Sequence, residues 1–244
     1  MTSSILFNEL KLKYLPVAII LADELPEGAA SLKPSKEAHG CSLSALRAAA
    51  KGETIYVSKE TPGCPGMKSG MGFTDIPNIP GGIEYFLSCG RGEGFPKGER
   101  LKKTPEVAKS YYDRLPKAVM DNKYVIFKPL DKSDKDKATL VTFLVNPDQL
   151  SALITLRDYE SDALDTAYMP MSSGCSTIVK IPLAEMKKEN PRAIIGLADI
   201  FARPLFDAEI LSFTVSYKEF ERMESYANDC FFQAETWDGV KERL

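Results

Sequence analysis

Residues 61–100 are the least regular stretch of the chain, and they limit what it can become. They hold most of its sixteen glycines, several of its prolines and two of its five cysteines. Ordinary helices and strands do not survive that density of breakers, because glycine costs backbone entropy and proline removes an N–H donor. A loop region this long inside a compact domain is functional or disordered. Met67, Met71, Phe73, Ile76, Ile79, Ile83, Tyr85, Phe86 and Leu87 supply apolar groups that favour order. The stretch is therefore expected to be an ordered loop layer, with a helical turn after Cys64 and a strand at 83–88.

The flanks carry the regular structure. Residues 4–14 read as a short amphipathic helix, ended by Pro16, and the β-branched run 17–21 as a buried strand. Leu43, Leu46 and Ala50 recur at helical spacing, so 41–51 is a helix stopped by Gly52, followed by a strand at 54–57. Thr104 and Pro105 mark the N-cap and first position of a helix over 104–115. Strands are expected at 124–130 and 139–145, around a charged turn at 131–137. Asn146-Pro147-Asp148-Gln149 then opens a helix to about 157. Beyond these come a helix from Cys175 to about 189, strands at 193–197 and 210–215, and a helix capped by Ser216 over 217–226.

This order reads as an α+β fold, a single compact domain over 1–244 with a Gly/Pro-rich loop layer. Two internal echoes raise the further expectation of a pseudo-duplication, with lobes 1–120 and 121–244. One echo is Gly40-Cys41-Ser42, helix, strand against Gly174-Cys175-Ser176, helix, strand. The other is strand, turn, strand, helix at 124–157 against the same series at 193–226. A duplication would bring the two Gly-Cys-Ser helix starts together across a pseudo-twofold axis.

Composition narrows the function classes. At 244 residues the chain can bury a substantial core. A formal charge of −3 argues against a nucleic-acid protein, which shows a basic face. Lysines cluster at 97–103 and 132–137, but interleaved acids and prolines make these solvated loops. No apolar run reaches the roughly 20 residues of a membrane span, and 1–9 lacks the pattern of a secretory signal. The expected compartment is the cytoplasm, where an odd number of thiols stays reduced rather than forming a disulfide framework.

Four cysteines lie in Gly/Ser-rich turns, at Cys41, Cys64, Cys89 and Cys175, whereas Cys230 sits among aromatics and reads as a packing residue. Cysteines kept for packing normally hide in apolar elements. Cys41 and Cys175 open expected helices, where the macrodipole lowers a thiol pKa. Four thiolates suit an iron–sulfur cluster or a closed zinc site, although the chain has no Cys-x-x-Cys pair. Lys68, Arg91, Lys97, Arg100 or Arg203 would offset the cluster's negative charge. The plain alternative is that these are small residues tolerated in tight turns.

Other features are weaker. His39, the single histidine, stands two residues from Cys41 and suggests a base–nucleophile pair. Gly90-Arg91-Gly92-Glu93-Gly94 lacks phosphate-loop spacing and reads as a turn. Asp199 and Arg203 read as a structural ion pair at a strand end.

These pieces together resemble the family called domain of unknown function 169. The resemblance runs nearly the whole chain and rests on Pro16-Val17-Ala18, Cys41 opening an alanine-rich helix, Cys64-Pro65-Gly66 before Gly70 and Gly72, and Cys89. It continues through Lys128-Pro129-Leu130, Val145-Asn146-Pro147-Asp148-Gln149, Gly174-Cys175, and Asp199 with Arg203. It implies a cytosolic prokaryotic protein and transfers little mechanism. The family's Cys-Cys pair is a single cysteine here, at 175.

The leading functional expectation is an iron–sulfur protein. Cys41, Cys64, Cys89 and Cys175 would hold a 4Fe–4S cluster for electron transfer, redox sensing or cluster delivery, with a redox protein as partner. The alternatives are a metal-free module whose glycine loops bind a small anionic or thiol-reactive ligand, and an enzyme with Cys41 as nucleophile.

Overall fold

The computed structural model describes residues 4–34, 40–91, 95–117, 120–133 and 138–244. The first strands are β1 (Val17–Ala22), β2 (Ala30–Ser31), β3 (Ile55–Ser58) and β4 (Tyr124–Pro129). The later ones are β5 (Leu140–Val145), β6 (Ala167–Tyr168), β7 (Ala193–Gly196) and β8 (Leu211–Ser216). They form one mixed sheet in the order β2-β3-β4-β1-β5-β8-β7-β6.

β5, in the middle of the sheet, is buried at every position because both faces of the sheet are covered. On β5, Leu140 and Leu144 enter one core while Val141, Phe143 and Val145 enter the other, as the two-residue period of a strand requires. The first core also holds Val17, Ile19, Val57, Val125 and Phe127 beneath α2 (Leu43–Ala49) and α3 (Pro65–Gly70). The second is closed by α1 (Ile5–Glu9), α6 (Pro147–Asp158), α8 (Tyr217–Tyr226) and α9 (Glu235–Lys241). Each fully buried Val, Leu, Ile or Phe stabilises by roughly 1.5–3 kcal/mol, so the two cores dominate the energetics.

Local signals set most helix starts. Asn146 and Gln149 form a reciprocal capping box at α6, and the Gln149 amide also donates to the Leu10 carbonyl at 2.9 Å. Thr104 caps α5 (Pro105–Asp113), and Ser216 caps α8. α1 is shorter than expected: Lys11 turns left-handed at φ 43°, and Glu224 on α8 accepts from Ser4 and from the Ile5 N–H at the helix start.

Two expectations change. Residues 83–88 are not a strand; Ile83–Phe86 form α4, with Leu87 N–H bonding Ile83 O at 2.9 Å and the Ser88 hydroxyl bonding Glu84 O. Phe86, a β-favouring residue, packs there on Phe95 and Phe201. The helix expected from Cys175 to about 189 is a π-turn at Ser176–Lys180 running into α7 (Ile181–Glu185). Pro182 has no N–H for the ordinary bond to residue 178, and this is where the wider turn is used.

The sheet has a regular internal order. Outward from the centre, β1-β4-β3-β2 on one side faces β5-β8-β7-β6 on the other. In each group the first two steps are antiparallel, and the last, onto a two-residue edge strand, is parallel. In each group a segment opened by Gly-Cys-Ser connects the parallel pair: α2 between β2 and β3, the π-turn and α7 between β6 and β7. The likeness is one of strand order; a duplication is not shown. The echo of 124–157 in 193–226 does not follow this order, since it sets β4 against β7.

Candidate functional site

Gly40 and Gly63 bring two cysteine turns into contact. A Cβ on Gly40 would lie 2.5 Å from Gly63 Cα, and one on Gly63 would lie 2.4 Å from the Gly40 carbonyl oxygen. Gly40 also has φ +70°, where other residues are strained. The Cys64 N–H points to that same Gly40 carbonyl at 3.4 Å. Glycine at both positions therefore lets the Cys41 and Cys64 turns touch backbone to backbone.

Cys175 approaches from the other half of the sheet. Its sulfur lies 2.3 Å from the place a Cβ on Gly70 would occupy, 3.6 Å from the Gly66 carbonyl and 3.3 Å from Ser173 Oγ. The missing side chain of Gly70 leaves a notch that Cys175 fills, while a Cβ on Gly66, one turn earlier on α3, would meet Cys64 Sγ at 3.4 Å. Gly174 is equally confined: a Cβ there would meet Leu43 Cδ1 at 2.8 Å and Ala202 Cβ at 3.1 Å.

The thiols do not behave as helix-start thiolates. Burial pushes Cys41 up to about 11, with the charges of Cys64 and Asp199 adding to it. Burial pushes Cys175 up to about 12, reinforced by Cys41, Cys64 and Asp199. Both are neutral thiols at physiological pH, the reverse of the lowered pKa expected from their positions. Desolvation outweighs the helix start because the sulfurs face the core rather than solvent.

The cluster expectation is overturned. Among the described residues, no group of three or more Cys, His, Asp or Glu side chains could hold a metal ion. Cys175 is spent on the Gly70 notch. Cys64 is exposed, and Cys89 is exposed at the end of α4 with its sulfur 3.6 Å from Gly90 O. Thus Cys41, Cys64, Cys89 and Cys175 do not form a 4Fe–4S or zinc site. His39 and residues 92–94 lie outside the described residues. Cys230 is buried with Phe232 and Trp237 in the second core, as expected of a packing residue.

Asp199 and Arg203 separate into two roles instead of pairing with each other. The two carboxylate oxygens of Asp199 accept from the N–H groups of Gly174 and Phe201, both at 3.1 Å. Burial nonetheless raises its pKa, with those bonds opposing. Arg203 donates to the carbonyls of Leu197, Asp207, Ala208 and Ile210, tying the segment between β7 and β8 into a knot. Leu197, the first of those acceptors, is buried with a left-handed φ of 64°.

Residues not singled out in the sequence complete the site. Tyr111 and Tyr112 project from α5. The Tyr111 hydroxyl bonds Ser172 Oγ at 3.2 Å, and Lys102 Nζ sits over its ring. Tyr112 lies close to Ser69, and its pKa is raised by burial and by the charge of Cys175. Tyr111 is raised by burial, with Asp199, Cys175 and Tyr168 adding. These couplings bring α5, the 168–175 turn and the 199–203 turn to one place. Phe86 stacks on Phe201 at 6.2 Å and meets Phe95 edge-on at 4.6 Å. Phe201, Met169 and Met171 remain 46%, 47% and 51% exposed. The Ser42 hydroxyl, fully buried beside Cys41, has no hydrogen-bond partner. No sequence pattern marks these residues, because which apolar side chains stay in solvent is set by what the fold leaves uncovered.

Among the described residues no helix is long and apolar enough to cross a membrane. No curated protein and no solved structure matches the chain. The sequence pattern of one family does match, over residues 5–226, nearly the whole chain and both Gly-Cys-Ser turns with it. The chain therefore belongs to the DUF169 family, described as Uncharacterised ArCR.

Proposed function

We propose that the face between α3, α5 and the 168–175 and 199–203 turns binds a small uncharged molecule with a flat apolar body and hydrogen-bond-accepting groups. One observation carries this reading. Exposed Phe201, Met169 and Met171 lie on the two turns that the Tyr111–Ser172 and Gly174–Asp199 hydrogen bonds join to each other and to α5. Contiguous exposed apolar side chains mark binding surfaces, and methionine suits adaptable ones. The Tyr111 phenol O–H, in exchange for Ser172, can donate to an acceptor. Charge is disfavoured there, since desolvation already raises the pKa of Asp199, Cys41 and Cys175. All five cysteines are free thiols, which suits a reducing compartment, and we place the protein in the cytoplasm.

Nile red is a suitable probe: it is uncharged and flat, carries a ring carbonyl, and brightens in apolar surroundings. The expected result is saturable one-to-one binding, weakened about tenfold (roughly 1.4 kcal/mol) by Phe201→Ser and by Met171→Ser. Both positions are exposed, so the fold should persist, and circular dichroism checks that. Absence of saturable binding, or binding that both variants leave unchanged, would sink the reading.

A further inference from the structure

A cavity of about 700 Å³ opens on the side of the sheet that carries the second core. Its volume lies within the roughly 300–1,000 Å³ of small-molecule sites. Ile5, Phe7, Leu15, Pro16, Leu130 and Phe220 make its apolar wall. Its charged lining is of one sign: Asp131, Glu221 and Glu224, with no lysine or arginine among the described residues that line it. Glu224 is committed to the start of α1 through Ser4 and the Ile5 N–H. Asp131 and Glu221 have no ion-pair partner among the described residues. Two neighbouring cations among the described residues are turned elsewhere, Lys132 to the Gly52 carbonyl and Arg222 to Glu219.

We propose that this cavity binds a cationic amphiphile, an aliphatic ammonium whose chain lies on the apolar wall and whose head meets Asp131 and Glu221. Apolar area supplies affinity, and the carboxylates select the sign of the head group. An anionic amphiphile would place like charges together in a partly desolvated site. The site is independent of the thiol face, which lies on the first core.

Isothermal titration of the intact chain with decylammonium, decanol and decanoate, each below its aggregation limit, tests this. Decylammonium is expected to bind one-to-one and at least about tenfold more tightly than decanoate, with decanol between. The Asp131→Asn/Glu221→Gln variant should lose most of that preference, and Ser225→Trp, which fills the cavity from the exposed side of α8, should abolish binding. Phe201→Ser should leave decylammonium binding as it is, which separates this site from the thiol face. No decylammonium binding, equal binding of decanoate, an unaltered preference in the double variant, or wild-type binding by Ser225→Trp would each overturn the proposal.

Discussion

The sulfur of Cys175 occupies the space that a side chain on Gly70 would need, 2.3 Å from the position of its Cβ. The cysteine is a packing knob in the notch left by Gly70, and its partner is a helix rather than a metal. That contact joins α3 to the π-turn and so connects the loop layer to the second half of the sheet.

Gly70→Ala should therefore destabilise the protein by about 1–3 kcal/mol, the usual cost of overpacking. Cys175→Ala removes the sulfur, the closest of the clashing atoms, while its Cβ at 2.9 Å stays, so the double variant should be more stable than Gly70→Ala alone without full recovery. Urea unfolding of the four proteins gives the coupling directly. Strict additivity would show that the two residues do not compete for one volume.

Thiol chemistry should follow exposure. At about pH 8, near the free thiol pKa of roughly 8.5, iodoacetamide should modify Cys64 and Cys89 readily and spare Cys41 and Cys175 until the chain unfolds. Peptide mass mapping over time reads the order. Fast modification of Cys41 in the native protein would contradict its burial and reopen a nucleophilic role.

The same two thiols tie stability to pH, with a definite sign. Their folded pKa values, about 11 and about 12, lie above the unfolded value. The folded state therefore holds protons that the unfolded state releases. Their contribution is complete below about pH 8.5 and falls as pH rises toward the folded values, by about 1.4 kcal/mol per pH unit for each thiol. Cys41→Ala should flatten this alkaline loss in a pH series of urea midpoints, and a slope identical to wild type would refute the assignment.

Arg203 should matter through its carbonyls rather than through Asp199. Arg203→Ala is expected to cost about 2 kcal/mol, the scale of charged hydrogen bonds left unmade. Arg203→Lys should recover little, because one ammonium cannot span the four acceptors that the planar fork reaches. Thermal unfolding compares them; full rescue by lysine would mean that only the charge counts.

The α6 capping box offers a graded test. Asn146→Ala should cost about 1 kcal/mol. Gln149→Ala should cost more, since it also orphans the buried Leu10 carbonyl. Equal costs in denaturant unfolding would assign no weight to the link between α6 and the segment after α1.

Much of the scaffold was legible before the structure, because its signals are local. Thr104 with Pro105, Asn146 with Gln149, and Ser216 each satisfy N–H groups within four residues. The β-branched runs at 17–21, 124–130 and 139–145 are buried wherever they pack. The family resemblance rested on the same short motifs. Residues 83–88 misled because Ile83, Tyr85 and Phe86 favour a strand, while tertiary contacts with Phe95 and Phe201 reward a helical turn.

By itself the sequence determined where most chain elements begin, which segments are apolar enough for a sheet buried on both faces, and that glycine is dense around four of the cysteines. Only the tertiary structure decided what those glycines are for. At Gly40 and Gly63 they admit a backbone contact, and at Gly70 they admit a sulfur. It also decided that Cys41 and Cys175 lie desolvated and protonated instead of exposed to a metal. A thiol's charge state depends on the solvent and charges around it, and those come from turns more than a hundred residues apart in the chain, which no local pattern encodes.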